Sequence, residues 1–304
     1  MLNPFQLPDR SRADGRPLCP WETPEHADLY VAVDHSQDEF LKYQNELETD
    51  SDFRKSGKLV LITGPEGCGK TSLMHRCAWQ TREDLLLHHS EIRTEIIDLT
   101  ADGLVGLDSQ ARSRHICHRI HDELHIRRVF EQDKNYDEIE KRSDEPAQFY
   151  PYLSRLLLNA ELVVVVLLPP SELVDEVRTY GTYVQKMIAF FSESSYDSVA
   201  AIESNLASKP MIHLTLGVLD ETDGWAFVNS RLSRATTQSI PCPTTDEATV
   251  LRFMQTRIRG RGQTTIRELQ MTCESVFEAA IKSTSSLVEY GDFTQYYAEK
   301  AWLA

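Results

Sequence analysis

The sequence that decides the fold is Gly64-Pro65-Glu66-Gly67-Cys68-Gly69-Lys70-Thr71, which has the pattern G-x-x-x-x-G-K-T. An apolar run, Leu59 to Ile62, comes directly before this loop, and helical signals follow from Thr71 to about Gln80. Glycines at this spacing let backbone N–H groups converge on one anionic group, and the N-terminus of the following helix adds a partial positive charge. The pattern therefore predicts a phosphate-binding loop between a buried strand and a helix.

The residue types of the loop predict how a nucleoside triphosphate and its metal ion are held. Lys70 is expected to reach the β- and γ-phosphates and to act as a catalytic residue, and the Thr71 hydroxyl is expected to ligate Mg²⁺. The predicted nucleotide-binding residues of this segment are Gly64, Pro65, Glu66, Gly67, Cys68, Gly69, Lys70, Thr71 and Ser72. Cys68 is either a redox-sensitive thiol or a small residue that the loop tolerates.

Strand and helix patterns alternate along the chain after the loop. The predicted strands there are Ile92–Leu99, Leu162–Leu168, Ser198–Ile202 and Met211–Leu216, and the predicted helices include 109–130 and 171–192. The run Leu162–Leu168 is continuously apolar and rich in valine, which is typical of a strand buried on both faces. The alternation predicts an α/β fold, with a parallel sheet flanked by helices.

The C-terminal part of the sequence differs from the rest, because strand signals stop near Asp220. Helical patterns follow around residues 225–232, 246–257 and 265–283 and again near the end of the sequence. We therefore predict three parts: an N-terminal arm (1–35), a P-loop nucleotide-binding α/β domain (36–219) and a smaller all-helical lid domain (220–304).

Composition narrows the class of protein. The formal net charge of −15 argues against a protein that coats nucleic acid or an anionic membrane by bulk attraction. No apolar run reaches the roughly 18 residues that a membrane-spanning helix needs, and the N-terminus lacks the pattern of a signal peptide. The six scattered cysteines are typical of reduced thiols. We expect a cytoplasmic protein that does not contact membranes.

The order of strand, phosphate loop, long α/β segment and helical end resembles the AAA+ and STAND-type P-loop ATPases. Within them it is most similar to the branch of origin-recognition and transposition-helper ATPases. Other segments similar to that branch are Asn3-Pro4-Phe5 near the N-terminus and, at the link into the helical lid, Leu219-Asp220-Glu221, Phe227-Val228 and Arg231-Leu232.

The resemblance implies a ligand and two further site residues. It favours ATP or ADP, with Mg²⁺, as the cofactor. Val31 lies where the family places its adenine-contacting segment. Arg267 lies where the family places a lid arginine that touches the γ-phosphate, although a solvated helix residue is the alternative for Arg267.

Two departures from the family pattern concern hydrolysis. A hydrolysing member needs an acidic pair at the end of its third strand, but Leu162–Leu168 runs into Pro169-Pro170. Glu203, after the predicted strand Ser198–Ile202, is the catalytic residue that we expect to replace the missing acid. No arginine lies between Arg178 and Arg231, where the family supplies its arginine finger. The sequence thus predicts a degenerate Walker B motif and weak or no intrinsic hydrolysis.

Two side-chain clusters stay open at this point. One predicted helix carries four histidines: His115, His118, His121 and His125. They form either a metal site or an exposed polar face of the helix. The stretch from Arg257 to Arg267 either contacts nucleic-acid phosphate, reaches the nucleotide or forms salt bridges with the acidic body.

These observations favour a nucleotide-dependent switch or assembly subunit. No effector module follows the lid sequence, so we expect its output to pass through a protein partner or a second copy. One alternative is a non-catalytic pseudo-ATPase scaffold. Another is an active ATPase linked to DNA in a mobile-element or defence system, with nucleic acid possible but not favoured as a partner. If the protein is an enzyme, it is a nucleoside-triphosphate hydrolase.

Overall fold

A five-stranded parallel sheet forms the centre of the α/β part of the molecule. The computed structural model describes residues 1–8, 16–49, 52–104, 106–130, 137–171, 174–195 and 211–303, with side chains up to residue 299 except that of Val174. The strands are β1 (Lys58–Thr63), β2 (Arg93–Asp98), β3 (Leu162–Leu167), β4 (Ile188–Ser194) and β5 (Met211–Thr215). Their order is β2-β3-β4-β1-β5, and every pair is parallel. The predicted fold class is confirmed.

Helices surround the sheet and make up the described C-terminal region. A 3₁₀ helix (Pro24–Leu29) and α1 (Ser36–Thr49) precede β1. The helices between strands are α2 (Lys70–His88), α3 (Ser109–Ile126), α4 (Asp137–Glu140), α5 (Pro146–Asn159) and α6 (Val174–Tyr183). After β5 come α7 (Glu221–Thr237), α8 (Glu247–Arg261), α9 (Ile266–Lys282) and α10 (Tyr290–Leu303).

The central strands are apolar because helices cover both of their faces. All residues of β1, β3 and β4 are buried. Valine and isoleucine fit such a strand, since their branched side chains pack well on a pleated surface. The valine run of β3 was therefore recognisable from the sequence. β3 lies between β2 and β4, second from one edge of the sheet.

The predicted helix over residues 171–192 is wrong in its second half. The helix α6 ends at Tyr183, and β4 begins at Ile188 and pairs with both β1 and β3. Tertiary pairing decides this segment, because a buried apolar run of this length fits a helix or a strand equally well. The predicted strand Ser198–Ile202 lies outside the described residues, and Met211–Leu216 is confirmed as β5 with one residue fewer.

The chain divides into two compact units, one built on the sheet and one mainly helical. The first contains residues 40–64 and 73–215, and the second contains residues 1–39, 65–72 and 216–304. The second unit thus includes residues 65–72 of the phosphate loop and the N-terminal segment together with the C-terminal helices. The three-part division at residues 35 and 219 stays a prediction.

The helical unit has its own apolar core, to which the N-terminal segment contributes. Phe5 is 1% exposed, and its ring centroid lies 4.6 Å from that of Phe277 and 5.9 Å from that of Phe227. The side chain of Asn3 donates to the Glu274 carbonyl at 2.8 Å. At the start of α7, Asp220 forms a capping box with Asp223, which satisfies the first N–H groups of the helix. None of the described helices is long and apolar enough to cross a membrane.

Candidate phosphate-binding site

Three glycines give the loop after β1 its path. Gly64, Gly67 and Gly69 have φ angles of 149°, 79° and 98°. Residues with a Cβ rarely adopt these values, so glycine is required on steric grounds. The Cys68 N–H donates to the Pro65 carbonyl at 3.4 Å, and α2 begins at Lys70. The loop therefore turns tightly and leads directly into a helix N-terminus, which is the arrangement that binds phosphate groups.

The loop lies against the start of α9, within the same unit. A Cβ atom at position 67 would lie 2.9 Å from Thr265 Oγ1, and one at position 69 would lie 3.3 Å from Ile266 Cγ2. The Thr265 hydroxyl caps α9 by accepting a hydrogen bond from the Glu268 N–H at 3.4 Å. A Cβ atom would therefore have little room at either position, because the helical part of the unit approaches the loop closely.

The loop lysine is held inside the loop. Lys70 is 7% exposed, and its Nζ donates to the Pro65 carbonyl at 2.8 Å. The next two residues, Thr71 and Ser72, are half-buried at the start of α2. The Ser72 hydroxyl accepts a hydrogen bond from the Leu18 N–H at 3.3 Å. A buried ammonium group at a helix N-terminus, surrounded by a glycine-rich backbone, fits an anionic phosphate chain.

Arg267 lies on the first turn of α9, next to the loop. Its N–H donates to the Gly67 carbonyl at 3.1 Å, and its Nη1 lies 3.3 Å from Glu66 Oε1. The two side chains are 51% and 88% exposed, so solvent screens this ion pair and its contribution to stability is small. The guanidinium is therefore near the loop and readily available to another anion.

The predicted adenine-contacting residue Val31 lies in an extended segment that leads to α1. Val31 is half-buried against the helical core, and its carbonyl accepts a hydrogen bond from the Ser36 hydroxyl at 3.2 Å. Three residues later, Asp34 accepts a hydrogen bond from the Gly217 N–H, and the Asp34 N–H donates to Asp223 Oδ1 at 3.0 Å. Burial raises the pKa of Asp34, and the Asp223 carboxylate adds to that rise. These contacts attach the segment around Val31 to the start of α7.

The carboxyl end of β3 carries no acidic side chain in the described part of the chain. β3 ends at Leu167, and Leu168 is also fully buried before Pro169 and Pro170. The segment then runs alongside β4, where the Leu168 N–H donates to the Phe191 carbonyl at 2.8 Å. The Ser171 N–H donates to the Glu193 carbonyl at 2.9 Å. This strand end is thus apolar and closely packed.

β4 brings an acidic residue to the end of the strand that neighbours β1. Ser194 is the register partner of Thr63, and its carbonyl accepts a hydrogen bond from the Gly64 N–H at 3.2 Å. Glu193, one residue earlier, is 8% exposed. Glu193 was not predicted as a site residue, because the apolar run before it was assigned to the end of the helix over residues 171–192. The signal in the sequence was an apolar run that ends in polar residues. Glu203, which was predicted for this role, lies outside the described residues.

Asp98 ends β2 at the edge of the sheet, with β3 and β4 between it and β1. It accepts hydrogen bonds from the Thr100 N–H at 3.0 Å and the Thr100 hydroxyl at 2.6 Å. Burial alone would raise the pKa of Asp98, but the imidazole of His75, 3.3 Å away, and the bonds from Thr100 outweigh it and lower the pKa. Asp98 thus interacts with local partners, away from β1.

Side chains from both of the clusters that the sequence left open are paired with acidic groups. Ring nitrogens of His115, His118 and His121 lie 3.0–3.1 Å from aspartate oxygens. Arg257 forms an ion pair with Glu268, and Arg261 Nη1 lies 3.9 Å from the same carboxylate. Within the described ranges, no group of three or more His, Cys, Asp or Glu side chains is placed to hold a metal ion.

Solved structures of ORC proteins and of PCH-2 have folds similar to that of this chain. The ORC1 protein of Aeropyrum pernix in complex with DNA has a TM-score of 0.58 at 14% identity, over 91% of this chain and 68% of that chain. The ORC2 protein of the same organism, in ADPNP–ADP complexes, has a TM-score of 0.57 at 12% identity, over 86% and 67%. PCH-2 of C. elegans has a TM-score of 0.50 at 13% identity, over 88% and 67%.

No family model matches the chain, and no curated protein matches it in sequence. At identities this low, the likeness to the solved structures establishes the fold alone.

Proposed function

We propose that the protein is an ATP-binding switch of the AAA+ type with slow or no intrinsic hydrolysis. The observation that carries the proposal is the phosphate loop packed against α9. The loop has its three glycines at φ angles of 79–149°, and the Gly67 carbonyl accepts a hydrogen bond from the Arg267 N–H. A ligand bound in such a loop directly influences the helix that contacts it. The STAND-type ATPases, which also carry a Walker A loop, are the second family whose pattern the sequence resembles.

The residues present fit a nucleoside triphosphate with Mg²⁺. The loop N–H groups and Lys70 would hold the β- and γ-phosphates, and the Thr71 hydroxyl would ligate the metal ion. Bound Mg²⁺ would neutralise phosphate charge. Val31 would lie against the base, and Arg267 would exchange its exposed partner Glu66 for the γ-phosphate. The choice of adenine rests on the family resemblance.

The proposal of slow hydrolysis rests on the end of β3. Efficient P-loop enzymes hold Mg²⁺ and position the attacking water with acidic and polar side chains, and an arginine finger adds about 10³–10⁵ in rate. In this chain the described end of β3 is Leu167-Leu168-Pro169-Pro170. A proline pair cannot supply a carboxylate, so binding is supported better than turnover.

The exposed pair of Arg267 and Glu66 supports a way for the nucleotide to act as a switch. A γ-phosphate attracts Arg267 more strongly than a screened surface carboxylate does, because charge-assisted bonds to phosphate are bidentate and strong. ATP would thus fix the start of α9 on the loop, and ADP would release it. A protein partner or a second copy in the cytoplasm would recognise the fixed state. An assignment to a mobile-element or defence system is analogy alone.

The experiment that tests this proposal measures nucleotide binding, phosphate release and the mass of the protein in solution. Purified protein is titrated with ATP and with ADP in the presence of Mg²⁺, and its mass is measured by light scattering with each nucleotide, with and without DNA. A switch is expected to bind ATP and to change its oligomeric state without DNA. Equal masses with ATP, ADP and no nucleotide would support the pseudo-ATPase scaffold instead. Multiple turnover stimulated by DNA would support a DNA-linked ATPase.

Glu193 supports a second candidate, an ATPase with a relocated acid. Its strand is the neighbour of β1, and Glu193 is the register partner of Ile62, two residues before Gly64. A carboxylate at that position would supply the acidic group that the end of β3 lacks. Glu203 stays a proposal for the same role, and the two are separated by replacing each with glutamine.

A further inference from the structure

Two buried arginines in this protein differ completely in their partners. Arg112 on α3 and Arg231 on α7 are each 6% exposed. The Nε of Arg112 donates to Glu176 Oε1 at 2.9 Å, and its Nη2 donates to the Pro170 carbonyl at 2.9 Å. This is the usual state of a buried guanidinium, because an unpaired buried charge is costly.

Arg231 has no such partner among the described residues. Its Nε is shielded from solvent and makes no hydrogen bond, and no carboxylate or carbonyl oxygen of the described chain accepts one from its terminal nitrogens. Its guanidinium carbon lies 5.3 Å from the ring centroid of Phe227, one helical turn earlier. A cation–π contact offsets part of the cost of burial but satisfies none of the five N–H groups.

A second arginine adds to the positive charge at this position. Arg234 is half-buried one turn further along α7, and its guanidinium also has no ion-pair partner in the described ranges. Burial and the charge of Arg234 lower the pKa of Arg231 to about 10. Arg231 therefore remains protonated at neutral pH despite both effects, and two like charges lie next to each other on one helix.

We propose that Arg231 and Arg234 form an anion site that binds a phosphate group carrying two negative charges. The planar fork of a guanidinium matches two oxygens of a phosphate group. A phosphate monoester carries about −1.5 to −2 charges at neutral pH, which balances two arginines, whereas a carboxylate or a phosphodiester balances one. The site uses no residue of the loop at 64–72 and goes beyond the proposed nucleotide switch.

The test measures thermal unfolding in inorganic phosphate against potassium chloride at equal ionic strength. All variants carry Lys70→Ala, so that the phosphate loop contributes little and equally to each. The parent is expected to show a saturable rise in melting temperature with phosphate. Adding Arg231→Met is expected to remove that rise, with an apparent affinity at least roughly tenfold weaker. The matched control is Arg259→Met, which removes an exposed arginine of the same unit and should leave the response unchanged.

Two results would overturn the proposal: the absence of a saturable response in the parent, or an equal response with Arg231→Met. If Arg231→Met does not fold, Arg234→Met tests the same site at a half-buried position, and there an unchanged apparent affinity overturns the proposal. Glycerol 3-phosphate, dimethyl phosphate and acetate then identify the ligand class. The monoester is expected to act like phosphate, and an equal response to the diester or to acetate would rule out a site for a dianion.

Discussion

The segments that follow β1 and β3 differ in what they can do for a nucleotide. The segment after β1 has three glycines with positive φ angles, a buried lysine and a helix N-terminus. The segment after β3 begins Leu168-Pro169-Pro170 and packs along β4. In P-loop proteins, efficient hydrolysis needs acidic, polar and arginine side chains in addition to the loop that binds the phosphates. A chain can therefore keep the binding loop without the complete hydrolytic set, and the function that we propose for this protein is of that kind.

The largest expected effect is on ATP binding by the segment after β1. Lys70→Ala should weaken ATP affinity about 100-fold, or about 3 kcal/mol, since it removes a charged partner of the phosphates. Isothermal titration calorimetry measures this directly. Lys282→Ala removes an exposed lysine of the same unit and should leave the affinity unchanged. An affinity within threefold of wild type in Lys70→Ala would mean that the loop does not hold the nucleotide.

Gly67→Ala tests the shape of the loop rather than its charge. The new Cβ would meet Thr265 Oγ1 at 2.9 Å at a φ of 79°, so we expect a loss of about 2 kcal/mol, or roughly 30-fold, in ATP affinity. The matched control is Gly262→Ala, which has a φ of 80° with no atom within 4 Å of the new Cβ. It should lower stability by about 1 kcal/mol but leave ATP affinity intact. Equal affinities for the two variants would exclude the close contact with α9.

On the hydrolytic side, Glu193→Gln and Glu203→Gln distinguish the two candidate acids. We expect Glu193→Gln to lower the residual phosphate release roughly tenfold, well below the effect of a fully placed catalytic base. The ATP affinity should stay constant, because glutamine keeps the shape of the side chain. Single-turnover phosphate release measures the rate. If Glu203→Gln loses the activity instead, Glu203 is the acid; if neither does, neither residue is the catalytic acid.

Arg267→Ala has the smallest expected effect. The side chain is 51% exposed and its present partner Glu66 is 88% exposed, so unfolding stability should not change. ATP affinity should fall about threefold while ADP affinity stays the same, since one exposed charge contributes about 0.7 kcal/mol. The ratio of the two affinities is the measurement. Arg261→Ala, at another exposed arginine of the unit, should leave that ratio unchanged.

The sequence predicted the parts of the fold that depend on local patterns. Each of these parts is encoded by residues that are close together in the sequence. They are the loop at 64–71, the valine run of β3 and the helices after residue 220. β4 was missed, because only its pairing with β1 and β3 distinguishes Ile188–Ser194 from the end of a helix. Features that depend on distant residues, such as Thr265 against Gly67, have no local signal at all.

The lack of a partner for Arg231 among the described residues could not be predicted from the sequence either. In the sequence, Arg231 is one arginine of an amphipathic helix, similar to Arg112 on α3. Their difference arises because Glu176 reaches one guanidinium, whereas no acidic group of the described residues reaches the other. Such an absence depends on the positions of all neighbouring side chains, and no spacing pattern encodes it.

The most direct test of binding without efficient turnover is phosphate release at saturating ATP and Mg²⁺, measured on a sample whose ATP stoichiometry has been determined by calorimetry. We predict one ATP bound per chain and a release rate on the order of 10⁻³ s⁻¹ or lower, similar to P-loop proteins that lack an arginine finger. A wild-type rate near 1 s⁻¹ without a partner, or no ATP binding, would contradict the account.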